Sequence, residues 1–147
     1  MKILIYTIDK GGIRTYTQYL ASAMKEMGFD VLHSDKIDYH NFDIVHIHFD
    51  YSQFHPWGLG LIPMLLRLKL NGKKVVVTIG TILKKKDTYT RNKFFTFFKK
   101  IILSISNKLI SIFSEKITVM VDEMKETLIK DYHINGKKVQ VVLHGNY

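Results

Sequence analysis

The sequence predicts an α/β fold, a mostly parallel sheet covered by helices on both faces, and three observations predict it. Short apolar runs of strand length alternate along the chain with segments whose apolar residues recur at helical spacing. Glycine closes helical patterns at Gly28 and Asn71-Gly72, where a helix C-terminus favours it. The strand runs are close to continuously apolar, as strands buried on both faces of a parallel sheet are.

The elements follow in order. Lys2 to Ile8 reads as a buried strand. Ile13, Tyr16, Leu20, Ala23, Met24 and Met27 recur at helical spacing up to Gly28. Phe29 to His33 reads as a second strand, and Phe42 to Phe49, entered from Asp43, as a third. Leu59 to Leu70 reads as helix, Lys74 to Ile79 as strand and Lys93 to Phe113 as a long helix. Lys116 to Val121 then reads as strand, Asp122 to Tyr132 as helix and Val139 to Leu143 as a last strand. Right-handed crossovers distribute such helices over two faces, giving a Rossmann-like three-layer sandwich. No repeat, low-complexity segment or linker divides residues 1–147, so a single domain is expected.

Composition narrows the function classes. With 147 residues the chain is about one domain, and 46% hydrophobic residues supply a core. The longest stretch resembling a membrane span, Trp57 to Leu66, falls short of the ~20 apolar residues a span needs. The N-terminal residues lack a signal-peptide pattern. Zero cysteines excludes disulfides and cysteine-ligated zinc and fits a cytoplasmic protein. The 22 Lys and Arg against 13 Asp and Glu give a net charge of +9. That field favours phosphates or anionic lipid, or reflects a Lys-rich sequence style. Stacking platforms for nucleic acid interleave aromatics with Lys and Arg on strands, whereas here the aromatics cluster in a helical segment, so no nucleic acid is expected.

Ligands of open α/β sheets sit at the carboxyl ends of the strands. The candidate positions are therefore Asp9 to Arg14, His48 to Trp57, Gly80 to Thr90, Asp122, and His144 to Tyr147. Gly11-Gly12 stands between the first strand and its helix, and unencumbered N–H groups at a helix N-terminus make a ready anion site. Arg14 could add a charged fork to a phosphate. Neither G-x-G-x-x-G nor the P-loop signature is present, so the pair reads equally as a turn.

Four segments carry a resemblance. "GGIRTYTQYLASAMKEMGFDV", "FDIVHIHF", "NGKKVVVTI" and "MKETLIKDYHINGKKVQVVLHG" occur in the order of the N-terminal domain of family 4 glycosyltransferases, which they resemble. The resemblance implies one half of a GT-B fold, in which two Rossmann-like domains face each other across a cleft. It implies a retaining transfer from a nucleotide-sugar donor to a glycan or lipid-linked acceptor, with no metal. On it, Gly11, Gly12 and Arg14 would approach the donor diphosphate, and His48, Thr78, Gly80, Asp122, His144 and Gly145 would line the acceptor side. The donor-binding domain is expected to lie outside residues 1–147, in a continuing chain or a partner subunit, with the isolated chain inactive. The sequence departs from the pattern where Thr78-Ile79 runs into Gly80 instead of a histidine, at Val121, at Leu143 and at Ile13 beside Arg14. Glu115 and Glu123 match an E-x7-E spacing by coincidence, since the family carries that pattern in its other domain.

Other side chains offer less. His46 and His48 share a strand face and read as a hydrogen-bonded pair rather than the start of a zinc site, for want of a third ligand. His40, His55 and His133 belong to no constellation. Asp9, Asp50 and Asp122 fall near strand ends, where capping and turn formation also place aspartates. No nucleophile–base pair or nucleophile elbow is present.

In the Lys93 to Phe113 helix, Phe94, Phe98, Ile101, Ile105, Leu109 and Ile112 form one apolar stripe, widened by Phe95, Ile102 and Phe113. Lys93, Lys100, Ser104, Asn107 and Ser111 take the opposite face. The pattern suits a sheet-covering helix, with Ile105 to Phe113 facing the core. Its N-terminal part also suits an anionic membrane surface, with Phe94, Phe95, Phe97, Phe98 and Lys99 joined by Lys84, Lys85 and Lys86. A peripheral position on the inner face of the membrane follows from that reading. The alternative function is a non-catalytic binding or membrane-docking module built on the same fold.

Overall fold

The computed structural model describes residues 1–8, 11–84, 86 and 92–142. Its elements in chain order are β1 (Lys2–Tyr6), α1 (Gly12–Glu26), β2 (Asp30–Ser34), β3 (Ile44–Phe49), α2 (Ile62–Leu70), β4 (Lys74–Ile79), α3 (Lys93–Phe113), β5 (Lys116–Val119), α4 (Asp122–Lys130) and β6 (Val139–Val141). Short 3₁₀ turns at Leu59–Leu61 and Gly136–Lys138 lead into α2 and β6.

Among the described residues the strands form one six-stranded sheet of order β2-β1-β3-β4-β5-β6, parallel throughout. The α/β fold and its three-layer, Rossmann-like arrangement are therefore present. Strand register is even: Leu4 lies beside Val45, Val45 beside Val75, and Val77 beside Ile117.

The strand order dictates how the helices divide. From β1 the chain moves one way to β2, then crosses back and steps from β3 to β6 in the other direction. Right-handed crossovers therefore set α1 on one face and α2, α3 and α4 on the other. Two apolar clusters mirror this division. Leu4, Val45, Ile47, Phe49, Val75, Val77 and Ile117 pack with Leu65, Leu68, Leu103, Ile110 and Leu128 from the three helices. Ile3, Ile5 and Val31 pack with Ala21 of α1. Three helices cover one face and one helix covers the other, so Val76 and Thr118 on the α1 side stay half-exposed.

Several boundaries differ from the sequence expectation. β1 ends at Tyr6 rather than Ile8, and Val121 caps α4 instead of extending β5. α4 ends at Lys130, and Tyr132 turns inward, its hydroxyl donating to the Leu83 carbonyl. Part of the Leu59–Leu70 helix is the 3₁₀ turn. Ile8 and Val121 are exposed at 36% and 47%, so their apolar character extends neither strand, whereas Leu61 and Tyr132 pack in the core outside the regular helices.

The largest correction concerns α3. Its buried residues are Leu103, Ser106, Asn107, Ile110 and Ser111, so the face expected to be polar and outward is the one against the core. Ile105 and Ile112, expected to be core, are 47% and 57% exposed. Asn107 is satisfied there: the Tyr51 hydroxyl donates to its Oδ1 at 2.7 Å and its Nδ2 donates to the Leu103 carbonyl at 2.9 Å. Small serines at Ser106 and Ser111 let α3 approach its neighbours closely. A helix with apolar residues on both sides has no periodic signal that says which side the core will take.

Candidate functional site

The site is built where the strand order reverses. β1 and β3 are neighbours whose onward connections leave in opposite directions, the place at which open α/β sheets generally take a ligand. Gly11 caps α1 with backbone angles of φ −99° and ψ −146°, its carbonyl accepting from the Arg14 N–H at 3.0 Å. Among the described residues no side chain caps the helix, and no acidic residue lies in its first turn. Gly12 is exposed, and a Cβ placed on it would meet nothing within 4 Å. The positive end of α1 therefore lies at the carboxyl edge of the sheet, with Arg14 on its first turn.

Behind this turn, His48 of β3 is buried, its ring edge-on to Tyr16 of α1 with centroids 5.3 Å apart. Thr17 of α1 lies 2.9 Å from the His33 Nε2, and its hydroxyl also donates to the Ile13 and Arg14 carbonyls at 3.0 and 2.9 Å. Burial, and then the Arg14 charge, push the His33 imidazole below its ordinary pKa. Among the described residues, the cationic character of this corner thus rests on Arg14 and the helix end, not on His33. The Thr7 hydroxyl at the end of β1 is also buried and has no hydrogen-bond partner among the described residues.

The next strands contribute a line of polar groups. The His46 Nε2 lies 2.6 Å from the Thr78 Oγ1, which lies 2.5 Å from the Thr118 Oγ1, so one chain of hydrogen bonds crosses β3, β4 and β5. With Tyr16, Leu20 and Met120 these residues line a cavity of about 100 Å³ beside α1. Burial lowers the His46 pKa from 6.5 to about 4. His46 is therefore neutral at neutral pH and acts as a hydrogen-bonding group, while His48 of the same strand face packs against an aromatic ring.

That shift carries a stability consequence. Below pH 6.5 the unfolded chain protonates His46 before the folded one does, so stability falls as pH drops from 6.5 towards about 4. The expected loss over that window is about 2–3 kcal/mol. Urea unfolding of the wild type and of His46→Asn at several pH values measures it. The variant should show a flatter profile, and identical profiles would sink this assignment.

Gly80 follows β4, donating its N–H to the Phe49 carbonyl at 3.1 Å. Asp122 opens α4 and is exposed, across β5 from the rest. Adjacent parallel strands are spaced about 4.8 Å apart, so the edge from β1 to β5 spans about 14 Å. Asp9, Lys85, His144 and Gly145 lie outside the described residues.

The structure assembles one group that the sequence reading did not. Asp50, Ser52, His55, Trp57, Thr81 and Lys99 line a cavity of about 280 Å³ between the β3–α2 connection and the start of α3. His55, without a constellation in the sequence, belongs to this set. The Asp50 carboxylate accepts from the Ser52 N–H at 2.8 Å and the Ser52 hydroxyl at 2.6 Å, which shapes the turn. The clue in the sequence was the polar, aromatic run from Asp50 to Leu59, but its partners Thr81 and Lys99 come from distant segments.

The residues expected at a membrane divide into a basic and an aromatic group. Lys84 pairs with Glu123 and, with Lys86 and Lys100, lines a solvent-open cavity between α3 and α4. Phe94, Phe95, Phe97 and Phe98 are 70%, 49%, 61% and 48% exposed on α3. No described helix is long and apolar enough to cross a membrane. No family model matches the chain, and no curated protein matches it at a significant level.

Proposed function

We propose that the chain is the acceptor-side half of a retaining glycosyltransferase, which binds a glycan or lipid-linked acceptor and meets a nucleotide-sugar donor held chiefly by a second domain. The observation that carries this reading is Gly12. It lies in a helix, its Cβ position is open, and its backbone needs no positive φ. Glycine at this first helical position gives the helix no stability that alanine would not. The fold draws no benefit from it, whereas a ligand that must touch the N–H groups of the first turn would. Arg14 supplies the charge such a diphosphate needs. The edge from Gly11 to Asp122, with Thr78 and Gly80 between, has the breadth of an extended sugar ligand, and the cavity at Asp50 to Trp57 offers the polar and aromatic lining that sugars bind.

The reading requires no metal and no bound cofactor. Catalysis here would be positional: an anion cradled at α1, a sugar hydroxyl held near the strand ends, and the two brought together by domain closure. A second reading, a non-catalytic binding module, is favoured by Gly80 standing where the resembling family places a histidine.

Titration of the isotope-labelled chain followed by NMR separates them. Under the first reading nucleoside diphosphates shift Gly11 to Arg14 with a Kd of about 1 mM or weaker, and acceptor sugars shift Thr78 and Gly80. Shifts from acceptor sugars alone favour the binding module. No shift at either place with any ligand refutes both.

A further inference from the structure

We propose that the outer face of α3 is a bilayer-docking surface on which the domain lies against anionic lipid. Phe94, Phe98, Ile101, Ile105, Leu109 and Ile112 follow one another at spacings of three and four residues, which puts them on a single line. Five of these six are exposed by 40–70%, and no described element covers them. Over its 21 residues the helix is about 30 Å long, so the line is a straight apolar ridge across the molecule.

Charge identifies the occupant. α3 holds four lysines and no acidic residue. Lys108 lies one turn from Ile105 and Ile112 at the edge of the ridge, and Lys93 stands one turn from the exposed Phe97 beside its phenylalanine end. An anionic bilayer supplies what this pattern complements: an apolar layer for the ridge, with negative headgroups level with the lysine ends, which reach outward from their apolar stems. The chain's net charge of +9 draws the whole molecule in the same direction. The helix lies on the surface rather than crossing it, since no described helix is long and apolar enough to span.

Docking also fixes an orientation. α3 follows β4 and precedes β5, so its phenylalanine end lies at the carboxyl edge of the sheet. There the Phe95 ring meets Trp57 edge-on at 5.7 Å, and Trp57 lines the Asp50–Lys99 cavity. The bilayer would therefore lie beside the mouth of that cavity. This placement holds whether or not the chain takes part in sugar transfer, so the two readings fail separately.

Vesicle partitioning tests the proposal. Phosphatidylcholine vesicles with phosphatidylglycerol should bind the chain at least about tenfold more strongly than those without it. Brominated acyl chains should quench Trp57, the one tryptophan of the chain. Ile105→Glu should weaken partitioning by about tenfold or more. Lys25→Gln, which removes the same unit of charge from α1, should weaken it less than about threefold. Phe94→Ser, at the most exposed position, should weaken partitioning with the circular dichroism spectrum unchanged. The proposal is overturned by a wild type that does not bind, by equal losses in Ile105→Glu and Lys25→Gln, or by undiminished binding of Ile105→Glu. It is equally overturned if sedimentation shows a dimer that Ile105→Glu converts to a monomer, because a second copy then covers the ridge.

Discussion

Gly12→Val is expected to leave the chain as stable as the wild type and, under the proposed glycosyltransferase reading, to cut sugar transfer by about 10²-fold when the chain is assayed together with a donor-binding domain. The stability half of this expectation comes from geometry. Gly12 is exposed, its Cβ position is empty to 4 Å, and valine forms helix better than glycine. The functional half comes from the proposed ligand, since a branched side chain at the first turn holds a diphosphate away from the N–H groups of α1. Gly12→Ala should fall between the two, with stability no lower than that of the wild type. Urea unfolding and transfer rates measured on the same preparations decide the matter. Full transfer by Gly12→Val would reduce the glycine pair to a turn and remove the main support for a donor at this end.

Phe49→Ala should carry the largest stability cost, about 3–5 kcal/mol. Phe49 is fully buried, edge-on to Tyr51 at 4.9 Å and stacked on Phe54 at 5.7 Å. The β3–α2 connection wraps around its ring closely enough that a Cβ on Gly58 would lie 2.8 Å from the Phe49 Cζ, and Gly58 itself sits at φ +91°. One side chain thus anchors both the core and the loop that carries Asp50, His55 and Trp57. Since domains of this size are stable by only about 5–15 kcal/mol, the variant should be close to unfolding at physiological temperature. Phe49→Leu, which keeps much of the volume, should cost less than half as much. A Phe49→Ala midpoint within about 1 kcal/mol of wild type would show that the cavity left behind collapses, and that the loop is held by other contacts.

Much of the fold was legible because local patterns and tertiary demands agree. Lys74 to Ile79 and Lys93 to Phe113 match β4 and α3 end to end, since one is a short, mostly apolar, β-branched run beginning after Asn71-Gly72 and the other a long periodic segment. Ends such as Ile8 and Val121 were less legible, because the apolar run continues past the last ladder hydrogen bond onto side chains that are exposed. Of the candidate site, the Gly11-Gly12 turn and the carboxyl strand ends could be found from element order alone. The His46–Thr78–Thr118 line could not. It joins side chains 32 and 40 residues apart, and its register depends on how three strands align. The His55 cavity was hidden for the same reason, as Thr81 and Lys99 reach it from other segments.

The sequence by itself determined the alternation of strands and helices, the parallel sheet that follows from it, and the edge where a ligand would sit. Only the tertiary structure decided which side of α3 faces inward. Periodicity marks an apolar stripe but not its partner. The side that became buried joins Leu103 and Ile110, which pack in the core, to small serines and to Asn107, whose Oδ1 the Tyr51 hydroxyl satisfies from 56 residues away in the chain. With that side spent on the core, the phenylalanine and isoleucine ridge was left outside, where its lysines give it a second surface to meet.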